Sequence, residues 1–256
     1  MVFVLLTALL ASGLTFFSGF GLGTILMPAM ALFFPLPDAV ALTAVVHLLN
    51  NVFKWTLVRP SVDRAVFIRF ALPAVPAAFL GAWLLGRMAG MREVGSWALG
   101  DRVFHVEVMP LCMACLMVFF AAMDLLPGLK AWAVDRRYLF LGGMLSGFFG
   151  GLSGHQGALR SVFLLRSGLS KESFVATGVA AACFVDLARL VQYARQAAKL
   201  DMIQHGPLLG GATLAAFAGA WLGNRFLPKV TLQGIQVLVA LLLLVIALLL
   251  GAGVHS

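Results

Sequence analysis

Polar side chains recur at helical spacing through a largely apolar run, "DAVALTAVVHLLNNVFKW" at 38–55. Thr43, His47, Asn50 and Lys54 follow one another at spacings of 4, 3 and 4. At about 100° per residue this makes one narrow helical stripe, with Asn51 on its edge. Such a set can bind a polar ligand: the amide and hydroxyl supply hydrogen bonds, Lys54 supplies a positive charge, and a histidine takes up a proton near neutrality. The plainer alternative is hydrogen bonding between helices, with Lys54 reaching out to the helix end.

A second group lies in "GGLSGHQGALRS" at 150–161, where His155, Gln156 and Arg160 stand among glycines. An unwound, glycine-rich backbone offers unpaired amides, and the following helix turns its positive end toward them. "SGFGLG" at 18–23 has the same character without the polar side chains. The amides of Gly21, Gly23 and Gly157, with Ser153, His155, Gln156 and Arg160, are therefore candidates for holding an anion, which the planar fork of Arg160 suits. The alternative is close helix packing through small residues. Neither string is a dinucleotide or phosphate-loop fingerprint, since no strand and no Lys-Ser/Thr pair accompanies it. "GLSG" at 151–154 fits a short serine-nucleophile string, with His47 or His205 as base. Its counterpart, aligned below, carries glycine where Ser153 stands. Further on, Asp186, Arg189 and Tyr193 are spaced by 3 and 4, which reads as an internal ion pair near a helix end or, more sharply, as a gating pair.

The elements that must position these residues follow from composition. Of the 256 residues 62% are hydrophobic and only 11% are charged, with a mean hydropathy of +1.01. Soluble domains carry about 25% charged residues, so lipid must be the solvent for most of this surface. At roughly 20 apolar residues per spanning helix, the chain has room for a polytopic membrane protein and almost none for a soluble domain. The net charge of +8 then speaks for basic loops against headgroups and not for nucleic acid. Cys112, Cys115 and Cys183 give no disulfide framework, and "CMAC" lies in an apolar run where it reads as helix-face packing. The apolar N-terminus lacks a basic leader region and is read as part of the fold.

The chain reads as two copies of one unit, 1–127 and 128–256. "GAWLLGR" at 81–87 recurs as "GAWLGNR" at 219–225, and upstream a shift of 134 superposes Ser12-Gly13 on Ser146-Gly147, Gly23 on Gly157, and Thr43 on Thr177. Thr177 joins the candidate ligands on that ground. Each copy opens with a glycine-broken apolar segment (2–34 and 138–167). Helices follow at 38–58 and 171–196, at 65–87 and 203–225, and at 104–126 and 231–252. Ser170 supplies an N-cap. Neither half of a broken segment crosses a core about 30 Å thick, so each is a discontinuous or a re-entrant helix. Paired breaks in two repeats point to a transporter's binding site. If both segments span, the repeats are parallel; if both re-enter, they are inverted, and the basic loops at 54–69, 124–137, 166–171 and 225–229 share one side.

The order "GFGLGTILMP" with "PDAVALT", and "GGLSGHQGALRS" with "SKESFVAT", resembles the sulfite exporter TauE/SafE family over nearly the whole chain. In the family's pattern a glycine-rich break with a following proline precedes a helix opened by Pro/Ser-x-x-Ala-x-x-Thr, all duplicated. Here the glycine triplet is reduced to "GLG" and "GHQG", and the second copy lacks the proline. The resemblance implies movement of sulfite, or of a related sulfur-containing or carboxylated anion, across a bacterial inner membrane by a multi-pass protein. The expected fold is thus an all-α polytopic membrane protein, and the expected activity is secondary transport, as an exporter, with no enzymatic step, cofactor or metal. The anion would sit at mid-membrane between the two breaks, and His47 or His155 would take up a coupled proton. The other readings are an anion channel and an intramembrane serine protease using Ser153. Expected partners are the small anion and the lipid bilayer, with no nucleic acid, and a homodimer is left open.

Overall fold

The computed structural model describes residues 1–16, 22–88, 90–91, 93–125, 134–197, 202–226 and 232–254. Ten α-helices carry the fold among them: α1 (Val2–Leu14), α2 (Leu22–Ala31), α3 (Leu36–Val58), α4 (Arg64–Met88), α5 (Val108–Leu125), α6 (Leu139–Ser153), α7 (Gln156–Leu164), α8 (Lys171–Ala197), α9 (Met202–Phe226) and α10 (Leu232–Gly251). Short signals fix their ends. Asp63 accepts from the Val66 amide at 2.9 Å to open α4, and Ser170 accepts from the Ser173 amide at 3.1 Å to open α8, each leaving one fewer orphan donor. Gly154 ends α6 in the left-handed region, at φ +82°, a conformation that glycine adopts without strain.

Among the described residues four helices are long and apolar enough to cross a membrane: α3, α4, Lys171–Ala194 of α8 and His205–Arg225 of α9. Their outward faces carry leucines such as Leu72, 70% exposed, and Leu214, 68% exposed. Water would not tolerate that much apolar surface, and lipid does. The molecule is a multi-pass membrane protein.

The interrupted segments fold back on themselves. The Ser146 hydroxyl donates to the Gln156 carbonyl at 2.9 Å, the Val134 amide to the Val162 carbonyl at 3.4 Å, and Gly142 lies under the Phe163 ring. So α7 returns along α6 toward where it began. Likewise Phe33, just past α2, meets Phe3 with ring centroids 6.0 Å apart, which returns α2 along α1. The helices adjoining the two interruptions meet in the middle of the molecule, where a methyl group added at Gly23 would lie 3.3 Å from the Gly154 carbonyl oxygen. Gly21 lies outside the described residues.

The long helices pair in an exchanged pattern. The first leg of one hairpin, α6, runs beside α4, and the first leg of the other, α1, runs beside α9. Both contacts are made of small residues. A methyl group on Gly143, Gly147 or Gly151 would overlap the carbonyl of Phe70, Ala74 or Ala78, in steps of four residues along both helices. On the other side Gly219 is pressed against the Leu9 carbonyl, and Gly223 against that of Gly13. Backbones approach this closely only where side chains are absent, and such packing holds helices together in lipid. Between these pairs α3 lies against α8, running the opposite way: Phe53, Trp55 and Val58 share a cluster with Phe174, Val175 and Val179, while His47 and Asn51 reach Asp186 further down. Helix α5 lies along α10, and α4 also packs on α8 and α9 on α3.

One element was not legible as such. Glu93–Leu99 and Arg102–Glu107 form an antiparallel hairpin, β1 and β2, closed by Gly100-Asp101 with Gly100 at φ +61°. A glycine at the first position of a two-residue loop is what a type II′ turn requires. The stretch had read as a loop running into a helix from 104, because Val103 to Val106 continue the apolar run of α5. The hairpin sits beside the end of α10, where the Trp97 indole donates to the Ala252 carbonyl at 2.8 Å.

Candidate functional site

The centre of the molecule is polar and fully enclosed. Asp186, 0% exposed, stands at the middle of α8. On Oδ2 it accepts from Asn51 Nδ2 at 2.9 Å and meets His47 Nδ1 at 2.7 Å. On Oδ1 it accepts from Gln156 Nε2 at 2.9 Å, and Arg189 Nη2 lies 2.8 Å away. That last contact is an ion pair rather than an aligned hydrogen bond, because Arg189 Nη2 has no well-directed acceptor. A second nitrogen of the same guanidinium donates to the Gly150 carbonyl at 3.3 Å, and the Tyr193 hydroxyl donates to the Gly151 carbonyl. Three elements thus converge on one carboxylate: α3, the first turn of α7, and α8. A buried charge is tolerable when it is paired and its remaining lone pairs are satisfied, and Asp186 meets both conditions.

From this cluster the polar path leads to a recess. Gln156 Oε1 accepts from Arg160 Nη1 at 3.3 Å, and Arg160 lines the recess together with Asn51, Lys54, Thr15, Phe16 and Leu22. Phe174, Val175 and Gly178 close its far wall. The space open to water centres is about 20 Å³, room for about one or two waters. The recess lies between the Asp186 cluster and the end of the molecule where α3 stops and α8 starts. Lys54 does not reach out to solvent. Its side chain is 4% exposed, its ammonium donates to the Ser12 carbonyl at 3.3 Å and stands 5.5 Å over the Phe16 ring. Among the described residues no carboxylate comes within ion-pair range of it.

Of the residues singled out above, His47, Asn51, Gln156 and Arg160 are brought together. Gly23 closes on the His47 ring from the opposite side. Asn50 turns toward α1, where its carbonyl accepts from Ser12 at 3.0 Å. Thr43 is buried, and its hydroxyl has no hydrogen-bond partner among the described residues. Gly157 sits in the first turn of α7, its carbonyl taken by Ser161 at 2.9 Å. Thr177 is elsewhere: its hydroxyl accepts from the Asp63 amide at 3.0 Å, at the junction of α3 and α4. Ser153 donates to the Phe149 carbonyl one turn back and lies 3.2 Å from His155 Nδ1. Neither His47 nor His205 bonds to it among the described residues. His205 instead packs edge-on against Phe34. The His155 ring lies parallel to Phe120 at 5.4 Å.

Asp186 and Arg189 do form the ion pair that their spacing suggests, but mid-helix and at the centre of the site. An ionisable residue in the interior of an apolar helix is by itself a sign of function, and that was the signal to weigh. Lys54 carried the same signal, discounted because it stands one turn from a helix end.

Among the described residues no group of three or more His, Cys, Asp or Glu side chains is placed to hold a metal ion. Searches of curated proteins and of solved structures gave no match. A family model described as Sulfite exporter TauE/SafE matches residues 4–250, nearly the whole chain.

Proposed function

The chain belongs to the sulfite exporter TauE/SafE family, a family of membrane transporters of sulfur-related anions, and on that premise we propose that it is a secondary carrier binding a small oxyanion in the recess between Lys54 and Arg160. The observation that carries this reading is the burial of both cations on one cavity wall. Intramembrane cations are costly and mark substrate pathways; for Lys54, which no carboxylate reaches among the described residues, a bound anion supplies a counter-charge. Arg160 grips it with a planar fork, Lys54 with a point charge, and Asn51 adds an amide. A recess with room for about one or two waters must widen to take even sulfite, and must widen further for an extended organosulfonate such as sulfoacetate. His47 or His155 takes up a proton that moves with the anion.

The exchanged helix pairing supports two inverted repeats, 1–127 and 128–256. Under exchange of halves, α1 on α9 becomes α6 on α4, while α3 on α8 and α5 on α10 map onto themselves, the central pair running antiparallel. In this arrangement both broken segments are re-entrant and enter from opposite faces. Arg64, Arg69, Arg136, Arg137, Arg166 and Lys171 gather at the end where α3 stops, which makes that end cytoplasmic and the recess inward-facing, as an exporter of the bacterial inner membrane requires for loading. Single cysteines in a cysteine-free background check the orientation. Val94→Cys in the β-hairpin is expected to react with an impermeant maleimide on intact cells, and Lys171→Cys only after permeabilisation; the reverse pattern would invert the molecule.

The function is tested by thermal unfolding of the detergent-purified protein against sulfite, thiosulfate, sulfate, sulfoacetate, taurine and lactate. A ligand at 100 times its Kd adds about 2.7 kcal/mol. One oxyanion is expected to stand out, and its effect to vanish in Lys54→Met and in Arg160→Met. Silence across the panel, or an effect that survives both substitutions, would remove the recess from the carrier's path.

A further inference from the structure

His155 and His47 are both buried in the centre, but of the two His47 alone is held by a carboxylate among the described residues. We propose that His47 Nε2 is the atom that binds the coupled proton, and that Asp186 is the positioning residue that keeps it available; this rests on the carrier function proposed above. A carboxylate only accepts, so the 2.7 Å contact with Asp186 Oδ2 assigns the imidazole hydrogen to Nδ1; the Asn51 amide nitrogen, 3.0 Å from Nδ1, then donates to Asp186 Oδ2 and not to the ring. Nε2 then presents its lone pair. It is buried and makes no hydrogen bond among the described residues, and it faces the start of α2, where Gly23 meets Gly154: a methyl group at Gly23 would stand 3.7 Å from it. His155 has no such holder. Its Nδ1 faces the carbonyl and hydroxyl of Ser153, and its ring lies along Phe120.

The charges around the pair set the coupling. Arg189 faces it from α8 and Arg160 from α7, while Lys54 stands two turns along α3 and Tyr193 one turn beyond Arg189. Asp186 is already shared between His47 and Arg189, and among the described residues no carboxylate offsets Lys54, so positive charge stands beside the pair before any proton arrives. A further positive charge at Nε2 is opposed while the recess is empty and favoured once an anion fills it. By linkage the proton must then favour the anion to the same degree. Two contacts carry the influence: Asn51 touches both Asp186 and the recess, and Gln156 bridges Asp186 Oδ1 to Arg160. The step is balanced. A proton from water on one side forms the Nε2–H bond with the nitrogen lone pair; the Nδ1–H bond persists; release on the other side breaks the same Nε2–H bond.

Histidine ¹⁵N spectra of the intact protein in detergent, with the His47 signal assigned by its loss in His47→Gln, decide the tautomer without reference to transport. The expected neutral form carries its hydrogen on Nδ1 and gains one at Nε2 on acidification. In Asp186→Asn/Arg189→Gln, which removes both charges so that neither is left buried alone, the preference for Nδ1 is expected to be lost. In proteoliposomes, sulfite uptake is expected to rise about tenfold under an acid-outside gradient, within the usual range of coupling, and the double variant is expected to lose that rise. A wild-type His47 with its hydrogen on Nε2, or a double variant whose uptake still follows the gradient, overturns the proposal. Absence of anion stabilisation and of any anion flux in the wild type, with the Nδ1–H tautomer in place, would count against the carrier reading instead.

Discussion

Asp186→Ala is expected to destabilise the folded protein by about 3–5 kcal/mol, the cost of leaving a buried charge without its partner. The Arg189 guanidinium, 0% exposed, would keep only the Gly150 carbonyl at 3.3 Å. Gln156 and Asn51 would each lose the acceptor that holds them. The double substitution Asp186→Ala/Arg189→Met removes the orphaned charge along with its partner and should recover most of the loss, because a well-filled apolar replacement for a buried pair is often neutral. Unfolding in graded denaturant, wild type against both variants, measures the two. Equal destabilisation in single and double variants would mean that the hydrogen bonds of Asp186, and not its charge, hold the centre together.

Gly147→Leu should be as damaging for a different reason. The Gly147 position is closed by the Ala74 backbone itself, so a side chain there has no flexible neighbour to push aside. Helices α4 and α6 must separate, and overpacking of this kind costs about 1–3 kcal/mol at sites that can relax; a backbone contact belongs at the upper end. Gly86→Leu is the control, with open space around it, and should leave stability within about 0.5 kcal/mol of wild type. If the two variants unfold alike, the close approach of α4 and α6 is not what fastens the second hairpin.

The helix pattern was legible because composition and spacing act locally. An apolar run bounded by Asp63 or Ser170 has one low-energy solution in lipid, and α4 and α8 start where those caps stand. The folding back of the broken segments was legible only as one of two options, since their length excludes a plain span and says nothing of direction. What decides direction is the fit of Gly142 under Phe163 and of Gly150 against Gln156, contacts between residues that each look unremarkable alone. The site divides in the same way. His47, Asn51, Gln156 and Arg160 announced themselves as polar residues in apolar helices. Thr177 is a candidate only by its match to Thr43 in sequence, yet its hydroxyl serves a loop amide; a matched position does not bring a matched role. In the sequence Asp186 has a ready local partner in Arg189, whereas three of its four contacts come from distant segments or from the turn of α7.

The exchanged pairing of α6 with α4 and of α1 with α9 bears on how such a chain is made. Helix α4 enters the membrane early with a face of small residues, and its partner is synthesised only after α5 and the following connection. Until then the carbonyls of Phe70, Ala74 and Ala78 face lipid across an unfilled groove. Helix α1 waits longer still, for α9 near the end of the chain. Neither half of the sequence can complete itself during synthesis, so the chain is one assembly unit: α8 brings Asp186 to α3 and α7 while the chain is still growing, and the contacts of α9 with α1 and of α10 with α5 close last.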